Sequence, residues 1–126
     1  RGVDVRILMP GIPDKKIIFR MSHSYYQELL DAGVKIYEYQ PGFVHAKACI
    51  FDDRICTVGT VNLDYRSLFL HFENNSLFYR SEIIQRLKED YEETLEQCVE
   101  MQPYDIKKYA FRWFFDGLLR VFAPLC

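Results

Sequence analysis

Phe43-Val44-His45-Ala46-Lys47-Ala48-Cys49-Ile50-Phe51, then Asp52-Asp53-Arg54, then Ile55-Cys56-Thr57-Val58-Gly59-Thr60-Val61-Asn62, is the stretch on which architecture and chemistry both turn. Two runs rich in apolar and β-branched residues flank three polar turn formers. That pattern predicts a hairpin with strands at Phe43 to Phe51 and Ile55 to Val58. Side chains at i and i+2 share a strand face. His45, Lys47, Cys49 and Phe51 are therefore expected to point one way, and Ala46, Ala48 and Ile50 the other. An imidazole and an ammonium one strand repeat apart can bracket a phosphate, since Lys47 offers three donors and His45 exchanges a proton near neutral pH.

The same stretch carries the spacing H-x-K-x4-D-x6-G-S/T-x-N, which fixes six residue types over 18 positions. The turn at Gly59-Thr60 is expected to bring Asn62 back toward the strand end, where its amide would donate to a phosphoryl oxygen. Thr60 supplies a hydroxyl and Gly59 a close backbone approach. Such donors would stabilise charge on a five-coordinate phosphorus without a metal or cofactor. Asp52 adjoins the hairpin turn, and turn chemistry explains it at least as well as catalysis. A lone strand histidine is more often structural than reactive; the joint spacing is what singles out His45. His23 and His71 have no lysine at i+2 and read as structural or rim residues.

Outward from the hairpin, Val3, Val5, Ile7 and Met9 alternate as a strand that ends in Pro10-Gly11-Ile12-Pro13-Asp14. A helix ends near Ala32, with Ser24 and Gln27 fitting a capping box and Gly33 suited to the left-handed position after the last turn. Its start can also lie several residues earlier. Val34 to Tyr39 reads as a second strand, Glu73 to Tyr79 as a fifth. Ser81 can cap a helix with the stripe Ile83, Ile84, Leu87, Tyr91, Leu95 and Cys98. The order predicts an α/β domain on a mixed sheet.

Residues 1–100 are expected to form that domain and 101–126 an amphipathic aromatic tail. In the tail Lys108, Arg112, Asp116 and Arg120 fall four apart among Tyr109, Phe111, Trp113, Phe114, Phe115, Leu118, Leu119, Val121 and Phe122. Asp116 lies one turn from both arginines. The tail packs on the core or lies at a membrane surface, and the pattern fits both equally.

The 126 residues, 49% hydrophobic, suffice for one ordinary core. A net charge of −2 argues against nucleic-acid binding through a broad basic surface. Cys49, Cys56, Cys98 and Cys126 show no metal-type spacing and are expected to be reduced thiols in a cytoplasmic-facing domain. No apolar run reaches the ~20 residues that span a bilayer, and no signal peptide is evident. The start at Arg1, running at once into an apolar alternation, is expected of a segment of a longer polypeptide.

With these residues in view, the chain resembles the phospholipase D superfamily, whose signature is this HKD motif, and within it the C-terminal half of bacterial cardiolipin synthases. The resemblance lies in residues 9–16, 32–39 and 41–47, in Val58-Gly59-Thr60-Val61-Asn62-Leu63-Asp64-Tyr65-Arg66-Ser67, and in Phe72-Glu73-Asn74-Asn75. Thr60, where Ser is commoner, and Val61, where a small residue is frequent, depart mildly from the pattern. The resemblance implies a phospholipase D-like mixed sheet flanked by helices, one of two HKD repeats. It implies transfer of a phosphatidyl group between two phosphatidylglycerol molecules through a phosphatidyl-histidine, at a bacterial cell membrane and with no cofactor, metal or nucleic acid. By analogy His45 is the general acid and base rather than the nucleophile. Lys47 and Asn62 hold phosphoryl oxygens, and Glu73 orients His45. Asp64, Arg66 and Ser67 support the loop.

One imidazole cannot readily serve both as covalent nucleophile and as the acid on the opposite side of phosphorus. The motif occurs once, so the chain is expected to carry half of a composite site. The other half would come from an N-terminal HKD domain or from a second copy of the chain, and the fragment would be inactive alone. The alternatives are an HKD phosphodiesterase or nuclease, and a non-catalytic membrane-binding or pairing domain. The lack of a basic surface counts against the nuclease, and the intact motif against the non-catalytic domain.

Overall fold

A computed structural model describes residues 2–103 together with Gly117, Arg120 and Val121. The chain divides into two compact units, Arg1–Val44 with Gln97–Ala123, and His45–Glu96 with Pro124–Cys126. The division falls just before His45 and is of a different kind from the expected split at residue 100. Most of the tail, including Asp116, lies outside the described residues.

In the first unit, β1 (Arg6–Pro10) pairs in parallel with β2 (Lys35–Tyr39), Ile7 opposite Ile36 and Met9 opposite Glu38. The strand starts later than the alternation from Val3 suggests, and Val3 and Val5 are exposed. Two short helices, α1 (Lys16–Ser24) and α2 (Tyr26–Asp31), replace the single helix expected to end near Ala32. Ser24 is not an N-cap: its hydroxyl donates to the Met21 carbonyl, 2.6 Å away, and Tyr25 occupies the break. The exit from α2 is as the sequence suggests. Gly33 has φ of 85°, its N–H donates to Leu30, and that of Val34 reaches back to Leu29, the paired bonds of a Schellman motif.

A third strand of this sheet was not anticipated. Cys98, assigned above to the stripe of the last helix, belongs instead to β6 (Cys98–Glu100), antiparallel to β2. Three residues are too few for a periodic signal, so the pairing with β2 decides the conformation. The core of the unit is Met21, Tyr26 and Ile36, with Glu38 buried beside them. Arg120 reaches Ser24 and Glu28 and lies over the Tyr25 ring, 4.4 Å from its centroid, so this tail residue closes the α1–α2 corner.

The second unit is an antiparallel sheet in the order β3 (Ala48–Phe51), β4 (Ile55–Gly59), β5 (Asn75–Tyr79), followed by α3 (Glu82–Leu95). The expected single mixed sheet is thus two three-stranded ones, the first mixed and the second wholly antiparallel. Asp52 and Asp53, with φ of 49° and 54°, make the β3–β4 turn in the left-handed region that short acidic side chains tolerate. Lys88 of α3 holds Asp53 at 2.6 Å. Ser81 caps α3 as expected, its hydroxyl accepting the Ile83 N–H.

Candidate functional site

All the motif residues except Asp52 sit at the open end of the second sheet. Lys47 is the last residue on the β3 side to join the ladder, its carbonyl accepting the Gly59 N–H at 3.1 Å. β4 ends at Gly59, so His45 and Lys47 precede the regular strand instead of lying within it, and their common face is not set by strand alternation. His45 is exposed and Lys47 half-buried, the ammonium donating to the His45 carbonyl at 2.7 Å. That bond turns the lysine back along its own backbone and holds the His45–Lys47 segment as a unit.

Gly59 is glycine because there is no room for anything else. A Cβ there would lie 2.0 Å from the Asn75 side-chain oxygen and 2.1 Å from the Asn74 carbonyl. Gly59→Ala is therefore expected to cost about 2–3 kcal/mol of stability through overpacking against backbone. Chemical denaturation measures this, and a loss under 0.5 kcal/mol would show that the strands can part there without penalty.

Beyond Gly59, Thr60 is tied into the fold from three sides. Its N–H donates to the Asn74 carbonyl at 3.0 Å, its hydroxyl accepts the Asn74 N–H at 3.0 Å, and the same hydroxyl donates to Glu73 Oε2 at 2.5 Å. The hydroxyl proton expected to face phosphate is thus directed at Glu73. Hydrogen bonds from Thr60 and Ser67, with the charges of His71 and Lys47 nearby, hold the Glu73 carboxyl below the usual carboxylate range against the opposing effect of desolvation. Lys47, Thr60 and Glu73 therefore form one cluster, anionic at Glu73 and cationic at Lys47. Asn62 follows on the exposed loop, two residues past Thr60, and Asp52 lies in the hairpin turn at the other end of β3.

Asp64 and Arg66, expected only to support the loop, and His71, expected at the rim, make contacts beside the cluster that the sequence argument did not foresee. Asp64 Oδ1 accepts the N–H of buried Ser67 at 2.7 Å, starting a π-helical turn, Arg66–Leu70. In a π-turn residues five apart come together, and here Arg66 Nε donates to His71 Nε2 at 2.7 Å. His71 in turn presents Nδ1 to Glu73 Oε1 at 3.9 Å. A signal for the second contact existed, since His71 and Glu73 are separated by one strand repeat. The first had none, because α-helical spacing would pair Arg66 with Leu70.

Among the described residues there is no cluster of histidine, cysteine or acidic side chains that could hold a metal ion, and no helix long and apolar enough to cross a membrane. Cys56 is buried, and Cys49 and Cys98 are half-buried.

Comparison with known proteins gives this geometry a family. The family described as "Cardiolipin synthase, PLD-like domain" matches residues 1–95. A relative from Streptococcus mutans, called an uncharacterized protein, is 49% identical over 99% of this chain and 27% of its own length. Cardiolipin synthase 2 of Bacillus cereus is 43% identical over 98% of the chain and 24% of its own length. Cardiolipin synthase of Alkalihalophilus pseudofirmus is 44% identical over 98% and 25%. No solved structure matches. The chain spans about a quarter of the length of these relatives. With the family match covering three-quarters of its residues, the chain belongs to the cardiolipin synthase PLD-like domain family.

Proposed function

We propose that the chain is one half of a phosphatidyltransferase site, joining two phosphatidylglycerol molecules to give cardiolipin and glycerol. The observation that carries this reading is the Lys47–Thr60–Glu73 cluster at the sheet end, beside an exposed His45 and Asn62. It has one cation to hold phosphoryl oxygens, one amide to share that task, and one imidazole to move a proton. The H-x-K spacing occurs once in the sequence, so the covalent step on the other side of phosphorus is assigned to a second motif.

In the proposed reaction, an imidazole nitrogen of a second HKD motif attacks phosphorus, and the bond from phosphorus to the glycerol oxygen breaks. His45 gives its proton to the departing glycerol. It then takes the proton of a hydroxyl on the second phosphatidylglycerol, which attacks phosphorus and releases the imidazole. Charge on the equatorial oxygens is met by Lys47 and Asn62. The length of the relatives leaves ample chain for the second motif, and the lipid itself places the reaction at a membrane surface.

The test is a transfer assay on the 126-residue chain alone, with its mass in solution measured under the same conditions. No turnover is expected from the monomer. Activity should appear only when a polypeptide bearing a second H-x-K motif, or a second copy of this chain, completes the site. Multiple turnovers by a strict monomer would refute the half-site.

A further inference from the structure

We propose that His71 is a positioning residue of this site, holding the Glu73 carboxylate in place through an imidazole tautomer dictated by Arg66. The argument starts from a donor that cannot be anything else. Arg66 Nε carries a hydrogen at every accessible pH and never accepts. The nitrogen 2.7 Å away, His71 Nε2, must therefore accept, and in neutral imidazole the hydrogen then resides on Nδ1. That Nδ1–H faces Glu73 Oε1 at 3.9 Å, while Thr60 holds the other carboxylate oxygen at 2.5 Å.

The two oxygens of Glu73 thus have distinct companions, a close one at Oε2 and a looser one at Oε1. A shift of about 1 Å brings the His71 contact to hydrogen-bond length. Thr60 and Ser67 hydrogen-bond the carboxylate; His71, facing Oε1, limits its remaining swing. The location of this anion matters because Lys47 feels its charge. A carboxylate that drifts toward Lys47 would compete with a phosphoryl oxygen for the same ammonium. His71, Arg66 and the π-turn that brings them together thereby set how strongly Lys47 is available to substrate.

The kinetic consequence rests on the proposed transfer reaction; the tautomer does not, so the two fail separately. Ring-nitrogen NMR on the full chain should show His71 protonated at Nδ1, and Arg66→Met should shift it toward the Nε2–H form. An Nε2–H imidazole in the native chain, or a tautomer indifferent to Arg66→Met, overturns the proposal whatever the protein catalyses. In the transfer assay with the site completed by a second H-x-K motif, His71→Ala should raise the lipid KM about tenfold with kcat changed less, the usual scale for losing a group that orients a ligating one. His71→Asn places an amide donor near the Nδ1 position and should recover activity to within about twofold. Equal activity of the two variants, at any level, also overturns it.

Discussion

His45→Ala is expected to lower phosphatidyl transfer by roughly 10⁴-fold or more in kcat, the scale seen when one member of a concerted catalytic group is removed. The lipid KM should change little. Ground-state oxygens are held by Lys47 and Asn62 in this reading, and His45 acts only on protons in flight. Glycerol departs as a strongly basic alkoxide unless protonated, so the first step stalls without an acid. A substrate with a p-nitrophenyl ester in place of the glycerol end does not need that proton. The His45→Ala enzyme, with its second motif intact, should then release one equivalent of nitrophenol per site and stop. The covalent intermediate persists because no base activates the incoming hydroxyl.

That burst separates the two roles available to His45. As the nucleophile, its loss would remove the covalent step and with it any burst on either substrate. As the acid and base, its loss spares the covalent step. Retention of transfer within tenfold of the native enzyme would eliminate both roles and leave the non-catalytic pairing domain standing. The exposed position of His45, beside a Lys47 folded onto its carbonyl, suits a group that must meet substrate and a second half at once.

Which of these features the sequence disclosed follows from how local their causes are. The β3–β4 turn was legible because two adjacent aspartates between apolar runs are a local signal, and both adopt positive φ. The Ser81 cap and the Gly33 exit are also local and were read correctly. Ser24 with Gln27 matched a capping pattern equally well, yet the chain breaks at Tyr25. There a residue 96 positions away, Arg120, binds the Ser24 hydroxyl. No window of sequence contains that contact.

The site shows the same divide. The spacing from His45 to Asn62 pointed to one end of one hairpin, and Lys47, Thr60 and Glu73 do cluster there. The expected strand alternation of His45 and Lys47 fails because the ladder ends with β4 at Gly59, a limit fixed by where β5 approaches. Arg66 was read only as loop support and His71 as a structural or rim residue, because a π-turn has no distinctive composition. Their contact exists only once the chain has taken that turn.

Glu38→Ala is expected to be strongly destabilising to the first unit. Glu38 is 9% exposed and its Oε1 accepts from two groups, the Tyr26 hydroxyl at 3.1 Å and His23 Nε2 at 2.7 Å. His23 stacks on Tyr26 and meets the tilted ring of Phe19, with centroids 4.4 and 4.1 Å away, and its Nδ1 meets the Phe19 carbonyl at 2.8 Å. Removing the carboxylate strands a half-buried imidazole and a buried phenol together. Breaking a buried pair of this kind costs about 3–5 kcal/mol.

His23 and Tyr26 also line a partly open cavity of about 150 Å³ together with Asp14 and Lys15, so water has access to the pair. That access brings the expected loss to about 2–4 kcal/mol, or a fall of roughly 10 °C or more in Tm. The pair also carries a sign in pH. Burial pulls the His23 pKa down, but the Glu38 hydrogen bond, the Phe19 carbonyl and the Glu38 charge outweigh it and leave the pKa above its ordinary 6.5. A raised folded-state value means that the contribution is fully present below about pH 6.5 and is lost as pH rises through the folded pKa.

Glu38→Gln keeps an acceptor for Tyr26 and removes the charge. Its Tm should therefore fall less than that of Glu38→Ala at low pH, and the difference from the native chain should shrink as pH rises from 6 to about 9. A native Tm that drops no faster than that of Glu38→Gln across this range would mean that His23 is neutral in the fold and that the bond to Glu38 is an uncharged one.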